Sequence, residues 1–313
     1  MTDSILSAPH FHDEQVAYDY VEARLWPNGA VCPKCGVIGE STKLAGKSTR
    51  VGTYKCRACR KPFTVKVGTI FESSHIPMRH WLQAIYLIAS SKKGISTNQL
   101  QRTLGITIKA AWFMTHRIRE AMKDGGFDMF GLNGGIVEAD ETFIGRDYSV
   151  KPQGEKRGRG YGHKYKVLSL VDRATGRSRS IVVDDLKIKT LYPILRANIV
   201  REARLMTDEA AQYKRIGKMF AEHGYTFHGK GNYVSKDDPS IHTNTVEGFF
   251  SIFKRGMKGI YQHCAQNHLN RYVTEFDFRY NNRVANGVND EQRADILLRG
   301  VVGKRLTYKT VAC

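Results

Sequence analysis

Four cysteines come as two pairs, Cys32 and Cys35 in "CPKCG" and Cys56 and Cys59 in "CRACR", with 20 residues between the pairs. Two C-x2-C knuckles at that distance suit tetrahedral Zn(II). Four thiolates close the metal's shell and leave no open position for catalysis. The competing reading is a redox C-x-x-C pair. Cys264 and Cys313 have no partner nearby in sequence and read as a buried thiol and a tail residue. A second chemistry is carried by acids. Asp140 follows an apolar run in "GGIVEADETFIG", Asp208 ends another in "ARLMTDEAAQYK", and Glu247 lies early in "HTNTVEGFFSIFKRG". Carboxylates brought together repel one another, and divalent cations relieve that repulsion. Oxygen ligands of this kind suit Mg2+.

The stretch around Glu247 reads as a helix. Val246, Phe249, Phe250, Phe253 and Met257 form an apolar stripe at helical spacing. Glu247 and Lys254 share another face, since seven residues fall about 20° short of two full turns. Two readings of Glu247 stand side by side. With Asn244 as N-cap, Glu247 falls at the third helical position and closes a capping box, leaving Lys254 solvated. Alternatively, Glu247 is a metal ligand and Lys254 sits beside the site. Glu138 lies two residues before Asp140, shares its strand face and competes for the same role. Glu141 and Glu209 are expected to point away. Asp172 reads as turn chemistry in "VDRATGR", and Asp184 and Asp185 as caps of the next helix.

These residues need elements to hold them. In the N-terminal third, "TYKCRACRKPFTVKVGT" alternates as strands do around the second knuckle, as in a zinc ribbon. Trp81 to Ala89 reads as a buried helix. Ser96 caps a helix running to Leu104, Gly105 makes a turn, and Thr107 caps a second helix to about Met122. Helix, Gly turn and helix form a helix-turn-helix pattern. Ile108, Ala111, Trp112 and Ile118 are expected to pack inward, leaving Lys109, His116, Arg117 and Arg119 for DNA.

From Gly135 the order is three strands, a helix near 188–199, a strand ending on Asp208, a helix, a short strand at "GYTFHG" and the Glu247 helix. That is the element order of a ribonuclease-H-like fold, an α/β architecture with a mixed five-stranded sheet. It lets Asp140, Asp208 and Glu247 converge. Two metals about 3.5–4 Å apart at such a point can activate a nucleophile and stabilise a leaving oxygen in phosphoryl transfer. The stretch "KPQGEKRGRGYGHKYK" carries six Lys or Arg and reads as a loop on the phosphate backbone through Lys156, Arg157 and Arg159.

Composition agrees. Forty-nine Lys and Arg against 30 Asp and Glu give a net charge of +19, which favours a polyanionic partner, nucleic acid before a membrane surface. No apolar run approaches the roughly 18 residues of a membrane span. The first residues lack the pattern of a signal peptide, so a reducing compartment, the cytoplasm, is expected.

Taken in order, "WPNGAVCPKCG", "YKCRACRKPFTVKVGTIF", "SKKGISTNQLQRTLGITIKAAWFMTHRIREAM", "VEADETFIGR", "TDEAAQY", "HTNTVEGFFSIFKRG" and "RYVTEFDFRYNNR" span nearly the whole chain. In these pieces the chain resembles bacterial insertion-sequence DDE transposases with a zinc ribbon, the group related to Merlin elements. The resemblance implies that Asp140, Asp208 and Glu247 are the catalytic triad, that Lys254 contacts the DNA end, and that Mg2+ or Mn2+, two per site, serves as cofactor beside one structural zinc. Relatives can carry Asn at the third position, which keeps Asn244 as the alternative to Glu247. The expected division is an N-terminal helix and zinc ribbon over 1–75, a helix-turn-helix over 76–125, the ribonuclease-H-like domain over 132–290 and a tail over 291–313. The implied partners are terminal inverted repeats and target DNA, handled by at least a dimer at the bacterial nucleoid, with no membrane. Two rival readings remain. One is a DNA-binding regulator that has kept the reading domains without chemistry. The other is a nuclease using a Tyr and the His10/His12 pair of "PHFHD", expected in a disordered N-terminus.

Overall fold

The computed structural model of the protein describes residues 4–123, 125, 128–147, 163–227 and 233–307. The chain forms two compact units. One joins the residues up to Lys123 to those from Val288 onward, and the other is Asp124–Gly287.

The first unit opens with helix α1 (Glu14–Leu25), capped by the Asp13 carboxylate on Val16 N. Its ribbon is a three-stranded antiparallel sheet of β1 (Ser41–Lys43), β2 (Tyr54–Cys56) and β3 (Pro62–Phe63). Then come α2 (Met78–Ser90), α3 (Thr97–Leu104) and α4 (Ile108–Ala121). Ser96 and Thr107 cap α3 and α4 through their hydroxyls. Gly105 takes φ +64° between them, a conformation glycine adopts without a Cβ penalty.

Two expectations are corrected in this unit. The stretch read as a tail contains α9 (Asp290–Arg299), which packs against α2 and α1. Arg24 pairs with Asp295, and Arg293 Nη1 donates to Ala89 O at 3.1 Å. The segment beyond α9 pairs with Gly68–Ile70. The "PHFHD" segment is ordered and used in packing. Pro9–Phe11 is a 3-10 turn, His10 stacks on Tyr20 at 3.9 Å, and the His12 ring donates to Leu6 O at 2.8 Å.

The second unit is the ribonuclease-H-like α/β fold. Its strands are β4 (Ile136–Ile144), β5 (Tyr165–Asp172), β6 (Arg177–Val183), β7 (Arg204–Asp208) and β8 (Glu222–Thr226). The sheet order is β6-β5-β4-β7-β8, antiparallel across β6-β5-β4 and parallel across β4-β7-β8. Helices α5 (Ile188–Asn198) and α6 (Ala211–Ile216) cover one face over Val137, Ala139, Leu168, Leu170 and Leu205. Helices α7 (Asn244–Gly256) and α8 (Gln266–Asn281) cover the other over Ile144, Val167 and Val171. The period-2 alternation of β5 divides its side chains between these two cores. The stripe Val246, Phe249, Phe250, Phe253 and Met257 is buried as its spacing requires. Among the described residues, no helix is long and apolar enough to cross a membrane.

Candidate active site

In the ribbon, Cys32 and Cys59 Sγ atoms lie 3.7 Å apart, as do those of Cys35 and Cys56, and all four fall within 4.8 Å of one another. A tetrahedron with Zn–S bonds of about 2.3 Å has edges of about 3.8 Å, so the four sulfurs fit a zinc ion. Burial raises the Cys32 thiol, but backbone N–H groups of Lys34 and Cys35 and the neighbouring thiols outweigh it and hold it at about 6. The four-cysteine group expected from sequence is assembled by the bridge Val31–Ile38 on one side and by β2 on the other.

In the α/β unit, β4 does not end on its acids but runs on to Ile144, paired with β5 throughout. Its pairing with β7 stops at Glu138. Asp140 therefore stands just past the point where β4 and β7 part, and Asp208 is the last residue of β7. Such a parting of parallel strands opens a crevice at their carboxyl ends. Glu247 lies in the first turn of α7. Asp140 is pushed well above the usual carboxylate range by burial, then by the charges of Glu141, Asp208 and Glu247. The sites of the three acids are thus near enough to feel one another. Among the described residues, the cysteines are the one group whose ligating atoms meet within 4.8 Å, and the acid oxygens stand further apart. Half-buried, mutually repelling carboxylates with hard oxygen donors still fit divalent cations of the Mg2+ type. Asp208 also accepts Ala210 N at 3.0 Å, at the entry to α6.

Glu141, expected to point away if the strand continues, alternates off the Asp140 side of β4 and faces α6. It accepts from Tyr213 Oη at 2.6 Å, and burial, opposed by that hydrogen bond, pushes it up to about 7 with Asp208 adding to the rise. The capping box is absent, because α7 begins one residue early. Thr243 is its N-cap, Asn244 is exposed at the first helical position, and Thr243 Oγ1 donates to Glu247 Oε1 at 3.2 Å.

Glu138, the rival carboxylate, is fully buried and occupied elsewhere. Its Oε2 accepts Val246 N at 2.8 Å, and its Oε1 accepts Thr245 Oγ1 at 2.7 Å. These are groups of the α7 N-terminus, which offers unsatisfied N–H groups and a favourable dipole to an anion. Arg173 Nε donates to the same carboxylate at 2.6 Å. The other Arg173 nitrogens donate to Ser240 O, His242 O and His242 Nδ1 at 2.7–2.8 Å. Burial and the Arg173 charge lower the His242 pKa, which suits an imidazole nitrogen that accepts. Glu138 and Arg173 together pin the segment leading into α7, and hence Glu247. Sequence reasoning missed this pair. The signal was a carboxylate on the buried side of a central strand, which needs a cation within the protein.

Lys254 is exposed, with its Nζ 5.8 Å from the Phe250 ring centroid, and it lines a cavity that also reaches Glu141. In the α3–α4 pair, the expectation for α4 is corrected. His116, Arg117 and Arg119 are buried, and Arg117 Nη1 donates to Ile70 O and Glu72 O, each at 2.8 Å. Arg117 Nε reaches Leu306 O at 3.3 Å. Ile108 and Trp112, expected inside, are 48% and 36% exposed beside exposed Lys109, while Ala111 and Ile118 are buried. The returning C-terminal segment meets α4 at Arg117 and at its end, where Lys304 Nζ donates to Ala121 O at 3.0 Å, while Ile108, Lys109 and Trp112 of the first half stay exposed. Lys156, Arg157, Arg159 and Cys313 lie outside the described residues.

Residues 132–281 match the family model described as an ISXO2-like transposase domain, and residues 12–62 match that of a transposase zinc-ribbon domain. A relative described as "Uncharacterized protein in transposable element ISH50", from Halobacterium salinarum, is 27% identical over 86% of this chain and 91% of its own length. A solved retroviral assembly, the simian T-cell lymphotropic virus intasome in complex with PP2A regulatory subunit B56 gamma, aligns over 57% of this chain. It does so at 15% identity and a TM-score of 0.28, and the match spans 63% of that chain. The two matched regions stand in the order of a zinc ribbon followed by a transposase domain. Over residues 132–281 the larger unit is similar to ISXO2-like transposase domains.

Proposed function

We propose that the chain cuts the ends of an insertion sequence and joins the freed 3′-hydroxyls to target DNA, with Asp140, Asp208 and Glu247 as its DDE triad. What supports this reading is Asp140 just past the point where β4 parts from β7, Asp208 at the end of β7, and the burial and the charges of Glu141, Asp208 and Glu247 that act on Asp140. Two divalent cations, Mg2+ or Mn2+, held by these carboxylates would activate the nucleophile and steady the leaving oxygen of an in-line phosphoryl displacement. Asp140 and Asp208 offer their oxygens from a rigid sheet. Glu247 offers its own from a helix whose entry Glu138 and Arg173 hold. Lys254 carries a point charge suited to a phosphate, two turns along the same helix. No side chain needs to bond covalently to DNA.

The N-terminal unit recognises the terminal inverted repeats, with one zinc shaping the ribbon and the open first half of α4 meeting the groove. In a helix-turn-helix, the N-terminal residues of the second helix reach base edges, and here these include Ile108, Lys109 and Trp112. The basic loop with Lys156, Arg157 and Arg159 holds phosphates. Pairing two ends requires at least two chains, and the work takes place at the nucleoid in the cytoplasm. The test is nicking and strand transfer on an end-containing duplex in Mg2+. Asp140→Asn, Asp208→Asn and Glu247→Gln should each abolish both steps and keep end binding. An active Glu247→Gln with a dead Asn244→Ala would move the third role to Asn244. End binding without cleavage by the unaltered chain in either cation would make it a silent regulator.

A further inference from the structure

Helix α7 does not simply stop. It widens into a π-helical turn, Met257–Tyr261, closed by Gln262 N donating to Met257 O at 2.8 Å. Gln262 itself takes φ +56° and ψ −56°, a region that residues with side chains rarely enter. Wide helical turns and unusual backbone angles gather at functional sites. Both features border one cavity of about 600 Å3. Lys164, Lys254 and Lys258 stand around it, and Ile144, Met257 and Leu269 supply an apolar wall that is part of the α7/α8 core. Tyr165 forms a further side, packed so close to Gly145 that a Cβ there would lie 3.3 Å from its ring. The cavity extends to Glu141, next to Asp140.

Three ammonium groups around an apolar hollow match a ligand with an anionic backbone and a flat, largely apolar body. A hollow of this volume lies within the range of small-molecule sites. A base paired within duplex DNA cannot enter it, whereas an unpaired base can, with its flanking phosphates on the lysines. We propose that this groove receives one unstacked nucleotide of the bound DNA end, adjacent to the phosphate being cut. The inference rests on the proposed function, since it takes the acids as the cutting site. The groove holds the strand by a nucleotide as well as by Lys254, which fixes the scissile phosphate in two places.

The experiment uses the full chain and end duplexes carrying 2-aminopurine at single positions flanking the cleavage point, bound in Ca2+. Fluorescence should rise several-fold at one position and stay flat at the others. Cys264→Trp, which fills the groove, and Tyr165→Ala should lose that rise on duplex saturated with protein. An abasic residue at the responsive position should recover at least tenfold of the cleavage lost in Tyr165→Ala. Tyr165→Phe, which keeps the wall, should behave as the unaltered chain. Bound ends with every position stacked would overturn the groove whatever the chain cleaves. A rise that survives Cys264→Trp and Tyr165→Ala would place the unstacked base elsewhere and equally overturn it. One unstacked position in a chain that cuts nothing in Mg2+ or Mn2+ would instead refute the proposed function and leave the groove standing.

Discussion

Arg173→Ala is the perturbation whose consequence the geometry fixes most closely. It removes the cation that faces Glu138, a carboxylate with 0% exposure, and the donors that hold Ser240 O and His242 O. Breaking one side of a buried ion pair costs about 3–5 kcal/mol, because the remaining charge stays buried and uncompensated. For a unit of this size about 1 kcal/mol moves the midpoint by roughly 2–4 °C, so a fall on the order of 10 °C is expected. The double variant Glu138→Leu/Arg173→Met removes both charges and should regain much of that loss. It should not regain cleavage, since Val246 N and Thr245 Oγ1 then have no acceptor on β4 and the entry of α7 is free to shift. A displacement of about 1 Å at Glu247 costs on the order of 100-fold in rate. The assay pairs thermal unfolding with single-turnover cleavage and end binding, the last of which should stay unchanged. Unaltered melting in Arg173→Ala would refute the reasoning. So would full activity in the double variant, which would show that the pair supports the fold without placing α7.

The ribbon should hold one zinc per chain by elemental analysis, and Cys56→Ser should lose both metal and end binding; full metal content in that variant would rule out the four-cysteine site. Lys254→Ala should slow cleavage and strand transfer strongly while leaving circular dichroism unchanged, and Lys254→Arg should be milder, so wild-type rates in single-turnover assays of Lys254→Ala would return this lysine to solvent. The pH dependence follows from Glu141, whose folded pKa of about 7 lies above its unfolded 4.5. Its stabilising share is complete below about 4.5 and is lost as pH rises to about 7. Melting of the metal-free chain should therefore fall across that window, less so in Glu141→Gln and less so in saturating Mg2+, and an identical fall in all three would assign the effect elsewhere. In α4, Lys109→Ala and Trp112→Ala should weaken end binding with little change in melting, whereas Arg117→Ala should lower melting; the opposite pattern for Trp112 and Arg117 in binding and melting curves would restore the sequence-based assignment of those two.

The sequence made much of this architecture legible because local rules and tertiary structure agree there. The cysteine spacing, the caps at Ser96 and Thr107, and the Phe-rich stripe of α7 each follow from short-range geometry. The acids were readable as strand-end and helix-start residues, although β4 extends past them because β5 pairs along its whole length. What escaped was non-local. His116, Arg117 and Arg119 sit where a helix-turn-helix offers basic residues. Arg117 is taken up by the carbonyls of Ile70, Glu72 and Leu306, contacts reached only through the fold. Helix α9 did carry a local sign, the capping box of Asn289 and Gln292, each bonding the other's backbone. Glu138 could not be separated from Asp140 by alternation, since both share a strand face. Only the position of Arg173, across the turn after β5, shows that one acid is paired and the other left for the cleft.

The central claim is that Asp140, Asp208 and Glu247 hold metal at one point, and iron-directed backbone cleavage tests it most directly. With Fe2+ in place of Mg2+ on the end-bound complex and ascorbate as reductant, hydroxyl radicals cut the chain close to the bound ion. The expected pattern is three cuts, near 140, 208 and 247, all suppressed by excess Mg2+ and all lost together in Asp140→Asn. Cuts confined to one of these segments, or cuts near 208 and 247 that persist in Asp140→Asn, would contradict a shared site.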